Sequence, residues 1–232
     1  MVELCRDLDS MLRISSDAKG LGIFVAYTVA WLENWIEDPR KVLDEIASKS
    51  VEMVRSRYSL EKLREDPVVR AYRDFFWRIG IDPTKTRPSS EALVRRVLRG
   101  SFPRISIVVD AGNIASIETM VPIGIYDLDK ASPPFEIRLS RGGEVFKPIG
   151  GKEEVLEAGT PILVDSRGIV MHIYPHRDSI ETCVDENTKK IFVLGAGVPK
   201  VPRELVEKAV ARVVEILTMV GWRWCERIVV VE

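Results

Sequence analysis

The chain has 232 residues, of which 46% are hydrophobic and 30% charged, so it can bury a substantial core and is neither disordered nor fibrous. Its 34 lysine and arginine residues balance 35 aspartate and glutamate residues, which excludes a protein that binds nucleic acid over its whole surface. Cys5, Cys183 and Cys225 lie far apart, and this spacing argues against a disulfide framework, a zinc ribbon or a redox pair and for a reducing, cytoplasmic location.

The N-terminal region shows no sign of a secretory signal or of a membrane span. Met1–Ser10 mixes acids and bases before any apolar run. The longest apolar run, Leu21–Leu32, has about a dozen residues, whereas roughly 20 are needed to cross a bilayer. We therefore expect a soluble protein without a membrane partner. The chain has no glutamine, three asparagines and 22 arginines, which is typical of a thermophile.

The first elements in chain order are a strand and three helices. Gly22–Ala30 is apolar and rich in β-branched and aromatic residues, which predicts a buried strand. Apolar periodicity and cap residues, including serine at the start of the third, then predict helices through Val42–Val54, from Pro67 to Gly80 and from Ser89 to Gly100.

From Ile105 onward, short β-rich runs separated by turn residues predict a block of strands. A short helix at Gly112–Met120 interrupts them, and a long amphipathic helix at Pro202–Val220 follows them. Helices on both sides of a β-rich block favour the α+β class in a single domain, with a helical part to about residue 100, a β-rich pocket part to about residue 200 and a C-terminal helix and strand. The predicted strands are Ile105–Val109, Ile123–Tyr126, Glu136–Leu139, Ile162–Val164, Ile169–Tyr174, Ile191–Leu194 and Ile228–Val231.

Charge is distributed unevenly along the chain. Asp82–Arg104 holds six bases and two acids, and on a helix Arg95, Arg96 and Arg99 lie close enough to bind phosphate groups together. The alternative is a solvated helix face with an ion pair between Glu91 and Arg95.

The next segment, Ile105–Ser166, holds ten acids and five bases and is too acidic to bind a phosphate backbone directly. Polar residues beside its predicted strand ends instead favour a pocket for a small cationic or zwitterionic group. A turn or capping role is the alternative for each of them. They include Asp110, Asn113, Ser116, Asp127, Asp129, Arg138, Glu144 and Asp165.

His172 and His176 have the spacing of a helical metal-binding pair. Pro175 lies between them in a β-rich run, so they cannot share a helix face. We interpret them as ordinary strand and loop histidines and predict no metal and no cofactor.

Six short motifs follow one another within the region Tyr72–Gly197: Arg87-Pro-Ser-Ser-Glu-Ala-Leu, Val109-Asp110-Ala-Gly-Asn113, Pro122-Ile-Gly124-Ile-Tyr126-Asp127-Leu-Asp129, Ile137-Arg138-Leu, Gly143-Glu144 and Val164-Asp165. Their order and spacing resemble the B3/B4 domain of the phenylalanyl-tRNA synthetase β subunit, in its free-standing form. The resemblance implies an α+β fold that houses an editing site, where tRNA carrying tyrosine in place of phenylalanine is hydrolysed. It implies no synthetase activity, because the domain and its helical flanks use the whole chain.

The resemblance also implies site residues. Glu144 and Glu153 would be catalytic, whereas Gly124 stands where bacterial synthetases have a pocket histidine, so that polar group is missing. Together with the local positive charge, it predicts tRNA-binding residues, which are Arg87, Arg95, Arg96 and Arg99. The implied substrate-binding residues are Asn113, Ser116, Gly124, Tyr126, Asp127, Arg138 and Asp165.

Two functions remain open at this point. The first is a trans-editing factor that hydrolyses mischarged Tyr-tRNA, with possible association with a synthetase; backbone donors and ribose hydroxyls would assist the attacking water. The second is a non-catalytic module that binds an amino acid or RNA, favoured by the missing histidine and the overall neutrality. In either case Arg87, held extended by Pro88 near a helix N-terminus, is expected to clamp a carboxylate of the β-rich block or a ligand anion.

Overall fold

The structure is a computed structural model that describes residues 2–232. The helices are α1 (Val2–Arg6), α2 (Ser16–Lys19), α3 (Pro39–Arg57), α4 (Pro67–Arg78), α5 (Ser89–Leu98), α6 (Ile107–Thr119) and α7 (Arg203–Thr218). None of these helices, within the described range, is long and apolar enough to cross a bilayer. The strands are β1 (Leu12–Ile14), β2 (Phe24–Leu32), β3 (Ile123–Asp127), β4 (Phe135–Leu139), β5 (Val145–Phe146), β6 (Glu154–Val155), β7 (Pro161–Val164), β8 (Val170–Ile173), β9 (Arg177–Asp178), β10 (Lys190–Gly197), β11 (Trp222–Trp224) and β12 (Val229–Val231).

Two larger sheets organise the fold. The first is antiparallel with the order β11-β2-β10-β3, and β12 also pairs with β2. The second has the order β1-β4-β7-β8-β9, in which only β1 and β4 of the described strands run parallel. A hairpin of β5 and β6 stands apart. Because β2 lies between β10 and the two C-terminal strands, all three predicted parts of the chain contribute to one sheet.

The core lies between three layers. Helices α6 and α7 pack against β3, β2 and β10 of the first sheet, and α3 and α5 pack on α6. The opposite face of that sheet meets the second sheet through buried aromatic rings: Phe192 contacts Phe135, Tyr27 and Tyr126, with ring centroids 4.7, 5.1 and 6.4 Å apart. Burying apolar surface between a sheet and its neighbouring layers is what stabilises this arrangement. The fold is therefore of the α+β class, as predicted.

The predicted strand at Ile105–Val109 was wrong, because this segment begins α6. The Ser106 hydroxyl accepts a hydrogen bond from the Val109 amide at 3.2 Å, and the buried Asp110 carboxylate accepts one from the Ile105 amide at 2.8 Å. The first bond satisfies an amide of the first helical turn that has no partner within the helix, and the second fixes the residue before the N-cap to that turn. They outweigh the strand preference of the β-branched residues, so the helix is longer than the predicted Gly112–Met120.

The predicted serine cap of α5 was also wrong. Pro88 occupies the N-cap position and makes no side-chain cap bond, and Ser89 is the first helical residue. The helix start at this position rests on its packing and on the buried Glu91 rather than on a serine cap.

One disulfide contradicts the prediction from cysteine spacing. Cys5, in α1, is bonded to Cys225, which follows β11, with the two Cα atoms 5.4 Å apart and 220 positions apart in sequence. The Cys225 amide also donates to the Val29 carbonyl of β2 at 3.1 Å. Only the folded sheet brings the two cysteines together, which is why their spacing gave no signal. The cytoplasmic location, inferred from unpaired thiols, stays a prediction.

Candidate functional site

A cavity of about 480 Å³ opens between α5, α6, β3 and the β8–β9 hairpin. Its size is that of sites for small ligands. Apolar side chains such as Leu93, Val109 and Ile123 form part of the wall. The charged and imidazole-bearing lining residues are Arg87, Arg96, His172, His176, Arg177 and Asp178.

Five of the twenty residues that line the cavity are ones that the sequence analysis selected as site residues. Helix α6 contributes Asn113 and Ser116, whose hydroxyl donates to the Val121 carbonyl at 2.8 Å. The start of β3 contributes Gly124. Predicted residues from three separate elements thus meet at one place: Arg87, Arg96, Asn113, Ser116 and Gly124.

Two aspartates predicted to bind substrate close turns away from the cavity. Asp127 is buried and accepts hydrogen bonds from the Asp129 amide at 2.8 Å and the Thr188 hydroxyl at 2.6 Å. Asp165 is buried and accepts from the Arg167 amide at 2.9 Å. Both carboxylates therefore have the turn role that was the alternative interpretation.

The two glutamates predicted to be catalytic do not line the cavity. Burial opposes ionisation of Glu144, but the hydrogen bonds it accepts outweigh that cost and lower its pKa to about 2. Glu153 is exposed just before β6. The catalytic assignment of both stays a prediction that this geometry does not support. The donors to Glu144, at 2.8–2.9 Å, are the Arg141 amide, the Ser140 hydroxyl and the Arg138 guanidinium.

We expect Glu144→Gln to destabilise the fold at neutral pH and to reduce the loss of stability in acid. The folded-state pKa of about 2 lies below the ordinary 4.5, so the ionised carboxylate stabilises the fold above pH 4.5. That contribution is lost as the pH falls from 4.5 through about 2. Denaturant unfolding from pH 7 to pH 2.5 should show a steeper decline for the wild type than for the variant. Glu153→Gln is the control and should change stability by less than about 0.5 kcal/mol. Parallel curves for Glu144→Gln and wild type would contradict the structural role.

The cavity floor carries a hydrogen-bonded trio of Tyr126, His172 and Asp178. The β8–β9 hairpin pairs His172 with Asp178, and His172 Nδ1 lies 2.9 Å from Asp178 Oδ1. The buried Tyr126 hydroxyl, from β3, donates to the same oxygen at 3.0 Å. Tyr126 therefore reaches the cavity only through Asp178.

Gly124 is required by this trio. A Cβ atom at position 124 would overlap the Tyr126 hydroxyl and lie only 2.7 Å from its Cζ atom. The phenol ring therefore occupies the space that a side chain at position 124 would need. The glycine at position 124 thus leaves room for the phenol ring, and this position of the ring lets Tyr126 form its hydrogen bond with Asp178.

The sequence analysis missed the contribution of the β8–β9 hairpin to the cavity. His176 lies in the turn between β8 and β9, and its ring packs edge-on against Phe76 with centroids 5.4 Å apart. Burial, with a smaller contribution from the neighbouring His172, lowers the pKa of His176 to about 3, so this ring is uncharged at neutral pH. The available signal was the turn at Tyr174-Pro175, because a tight hairpin there places His172 opposite Asp178.

An arginine rim, formed by Arg87, Arg96 and Arg99, borders the cavity. These residues line a second depression of about 580 Å³, and Arg87 and Arg96 line the cavity as well. Arg96 and Arg99 are exposed and form no ion pair with any residue that the structure describes. The rim therefore presents unneutralised positive charge at the cavity mouth.

Arg95 does not belong to this free charge, because it is bound to the buried Glu91. Arg73 forms two hydrogen bonds with the Glu91 carboxylate, at 2.7 and 3.0 Å, and Arg95 forms one at 2.8 Å. Burial opposes ionisation of Glu91, but the hydrogen bonds from the two guanidinium groups prevail and lower its pKa. The ion pair of Glu91 and Arg95 predicted from the sequence is therefore formed. It is buried inside the protein, however, and does not lie on a solvated helix face.

The expected clamp between Arg87 and a carboxylate of the β-rich block is not formed. Arg87 Nε lies 4.0 Å from Glu91 Oε1, on the adjoining helix α5, and the Arg87 side chain is 41% exposed. Its guanidinium is left facing the cavity mouth, where a ligand anion could pair with it.

Comparison with known proteins finds one family model and several relatives that carry the same subunit name. A family model described as the B3/4 domain matches residues 71–220. The phenylalanine–tRNA ligase β subunit of Carboxydothermus hydrogenoformans is 30% identical over 119 residues, which cover 51% of this chain and 15% of that protein. The same subunit of Neisseria meningitidis serogroup A is 32% identical over 74 residues, covering 32% and 9%. The chain thus matches only a small part of the length of these relatives.

A solved structure resembles the whole fold. It is an N-terminal fragment of the phenylalanyl-tRNA synthetase β subunit from Pyrococcus horikoshii, with a TM-score of 0.51 and 19% sequence identity. The superposition covers 94% of this chain and 51% of the fragment. At this identity the comparison shows a common fold alone.

Proposed function

The chain belongs to the B3/4 domain family, as its motifs predicted, and from that relationship we propose that it binds the aminoacylated end of a tRNA and hydrolyses the ester of a mischarged amino acid. The observation that carries the proposal is the position of the arginine rim beside a cavity of amino-acid size. The named relatives are phenylalanine–tRNA ligase subunits, so an aromatic amino acid on tRNA is the first substrate class to test.

The two sites fit the two ends of such a substrate. The cavity, of about 480 Å³, is large enough for an aminoacyl group, and its apolar wall suits an aromatic side chain. The unpaired guanidinium groups of Arg96 and Arg99 suit the phosphates of the adjoining nucleotides. The ester bond would then lie between the apolar wall and the rim.

The competing function is a module that binds aminoacyl-tRNA or an amino acid without hydrolysing it. It is favoured by the absence of Glu144 and Glu153 from the cavity lining. Incubating the purified protein with Tyr-tRNA and with Phe-tRNA, both made on tRNA specific for phenylalanine, distinguishes the two. We expect faster release of free tyrosine than of phenylalanine. Retention of both esters together with saturable tRNA binding would support the binding module and contradict hydrolysis.

The arginine rim should make tRNA binding depend on salt. Replacing Arg96 and Arg99 together by alanine should weaken binding and flatten the slope of log Kd against log salt concentration by about two units, because each lost phosphate contact releases one counterion fewer. Arg203 and Arg223 are exposed arginines outside the cavity, and their double alanine variant is the matched control. Filter binding at several salt concentrations measures the slope. An unchanged slope for the rim variant would remove the rim from the binding site.

A further inference from the structure

We propose that His172 accepts the proton of the attacking water in this cavity, with Asp178 and Tyr126 as positioning residues. The proposal rests on the proposed function, because it takes an aminoacyl ester as substrate. It assigns the catalytic role to the His172 imidazole instead of Glu144 and Glu153. His172 lies in β8, which contains none of the six sequence motifs.

The Asp178 carboxylate determines which nitrogen of His172 carries the proton. His172 Nδ1 lies 2.9 Å from Asp178 Oδ1, and an ionised carboxylate can only accept a hydrogen bond. Nδ1 is therefore the protonated nitrogen of the neutral ring, and Nε2 keeps its lone pair. Within residues 2–232, Nε2 has no hydrogen-bond partner, and the ring lines the cavity. The free nitrogen is thus available to a water or a ligand there.

Tyr126 holds the carboxylate in place. Its hydroxyl donates to Asp178 Oδ1 at 3.0 Å, and its ring lies edge-on to the His172 ring with centroids 6.4 Å apart. Burial, with a smaller effect of the Asp178 charge, raises the pKa of Tyr126 well above its usual value, so the phenol remains a donor. Gly124 leaves the space that the Tyr126 ring fills. Gly124 and Tyr126 from one sheet and Asp178 from the other therefore together orient the His172 imidazole.

His176 is a poorer candidate for the same role. Its Nδ1 is buried without a partner, and its ring packs against Phe76. A ring with a pKa of about 3 is too weakly basic to take a proton efficiently near neutral pH. His172 and His176 are also the only two histidines in the chain, so the assignment can be tested with few variants.

The reaction balances with water alone as co-reactant. The water oxygen bonds to the ester carbonyl carbon while His172 Nε2 takes one water proton, which gives a tetrahedral oxyanion and an imidazolium paired with Asp178. The bond from that carbon to the ribose oxygen then breaks, and the ribose oxygen takes the proton from Nε2. The products are the free amino acid and a tRNA with its terminal hydroxyl restored, and His172 returns to its neutral state.

The test compares single-turnover hydrolysis of Tyr-tRNA by wild type, His172→Gln and His172→Ala, each checked for its melting temperature. Loss of a general base lowers rates by about 100-fold or more, so we expect the rate to fall by that factor while Kd for Tyr-tRNA changes less than about threefold. Added imidazole should partly restore hydrolysis by His172→Ala, which a purely structural role would not allow. Asp185→Asn, an exposed aspartate outside the cavity, is the control and should leave the rate unchanged.

Two contrary outcomes are distinguishable. An active wild type with a folded His172→Gln variant that is equally fast overturns the histidine assignment and leaves the proposed function intact. A wild type that releases no amino acid overturns the proposed function, and the histidine assignment with it. If His172→Gln unfolds, Asp178→Asn takes its place, because the Asp178 side chain is 33% exposed and tolerates an isosteric change better. We expect a fall in rate of about 100-fold or more for that variant, because an amide can donate to Nδ1 and leave the proton on Nε2; an unchanged rate would overturn the proposal.

Discussion

Replacing Cys225 by serine should lower the free energy of unfolding by about 5 kcal/mol. The Cys5–Cys225 bond closes a loop of 220 positions, and the entropy that a crosslink removes from the unfolded chain grows with loop length. Denaturant unfolding of wild type and variant measures the difference. Cys183→Ser, which removes the free, half-buried thiol, is the matched control and should cost less than about 1 kcal/mol.

A reducing agent provides the second half of this experiment. It should lower the stability of the wild type to that of Cys225→Ser and leave the variant unaffected. Equal stability of the wild type with and without reductant would contradict a disulfide between these two residues. The same measurement shows whether the protein keeps its fold under the reducing conditions that the cysteine spacing had suggested.

Glu91→Gln should lower the free energy of unfolding by about 3 kcal/mol, because it leaves buried guanidinium groups without their counter-charge. Arg73 and Arg95 are only 21% and 15% exposed and both depend on this fully buried carboxylate. The pKa of Glu91 is lowered in the fold, so its stabilising effect is present above pH 4.5 and is lost as the pH falls below that value. Glu204→Gln, an exposed residue in the first turn of α7, is the matched control and should cost less than about 1 kcal/mol.

The expected consequence extends to the site, because α5 carries both Glu91 and Arg96 of the arginine rim and is followed directly by Arg99. The melting temperature of Glu91→Gln and its affinity for tRNA should therefore both fall, whereas Glu204→Gln should change neither by a measurable amount. A stable Glu91→Gln variant would mean that Arg73 and Arg95 find water or other partners at little cost.

Local signals predicted those parts of the fold that local chemistry determines. Asp66 accepts hydrogen bonds from two amides at the start of α4, as expected of an aspartate before proline at a helix start. The apolar run that forms β2 was likewise evident as a strand. By contrast, Ile107-Val108-Val109 favour a strand by composition, and only the hydrogen bonds of Ser106 and Asp110 reveal the helix. The disulfide was beyond prediction because it depends on the pairing of distant strands.

The candidate site divides in the same way. Arg87, Asn113 and Gly124 lie in motifs of the family and line the cavity as a group. His172 and Asp178 belong to none of the motifs, and their partnership depends on the register between β8 and β9. A one-residue shift of that register would turn one of the two side chains to the other face of the sheet. The sequence therefore predicted the site residues around α5, α6 and β3, but not those of the β8–β9 hairpin.

The position of β2 has a consequence for how the protein is made on the ribosome. Each of its neighbours in the sheet comes from residue 190 or later, so β2 is translated more than 150 residues before a partner strand exists. At about 5–20 residues per second, this apolar strand waits for roughly 8–30 s. Six of its nine residues are buried, and they are sheltered from water only after β10 has emerged and the sheet has closed around the strand. The nascent chain is thus most vulnerable to aggregation during elongation, and a chaperone that holds the emerging strand would act in that interval.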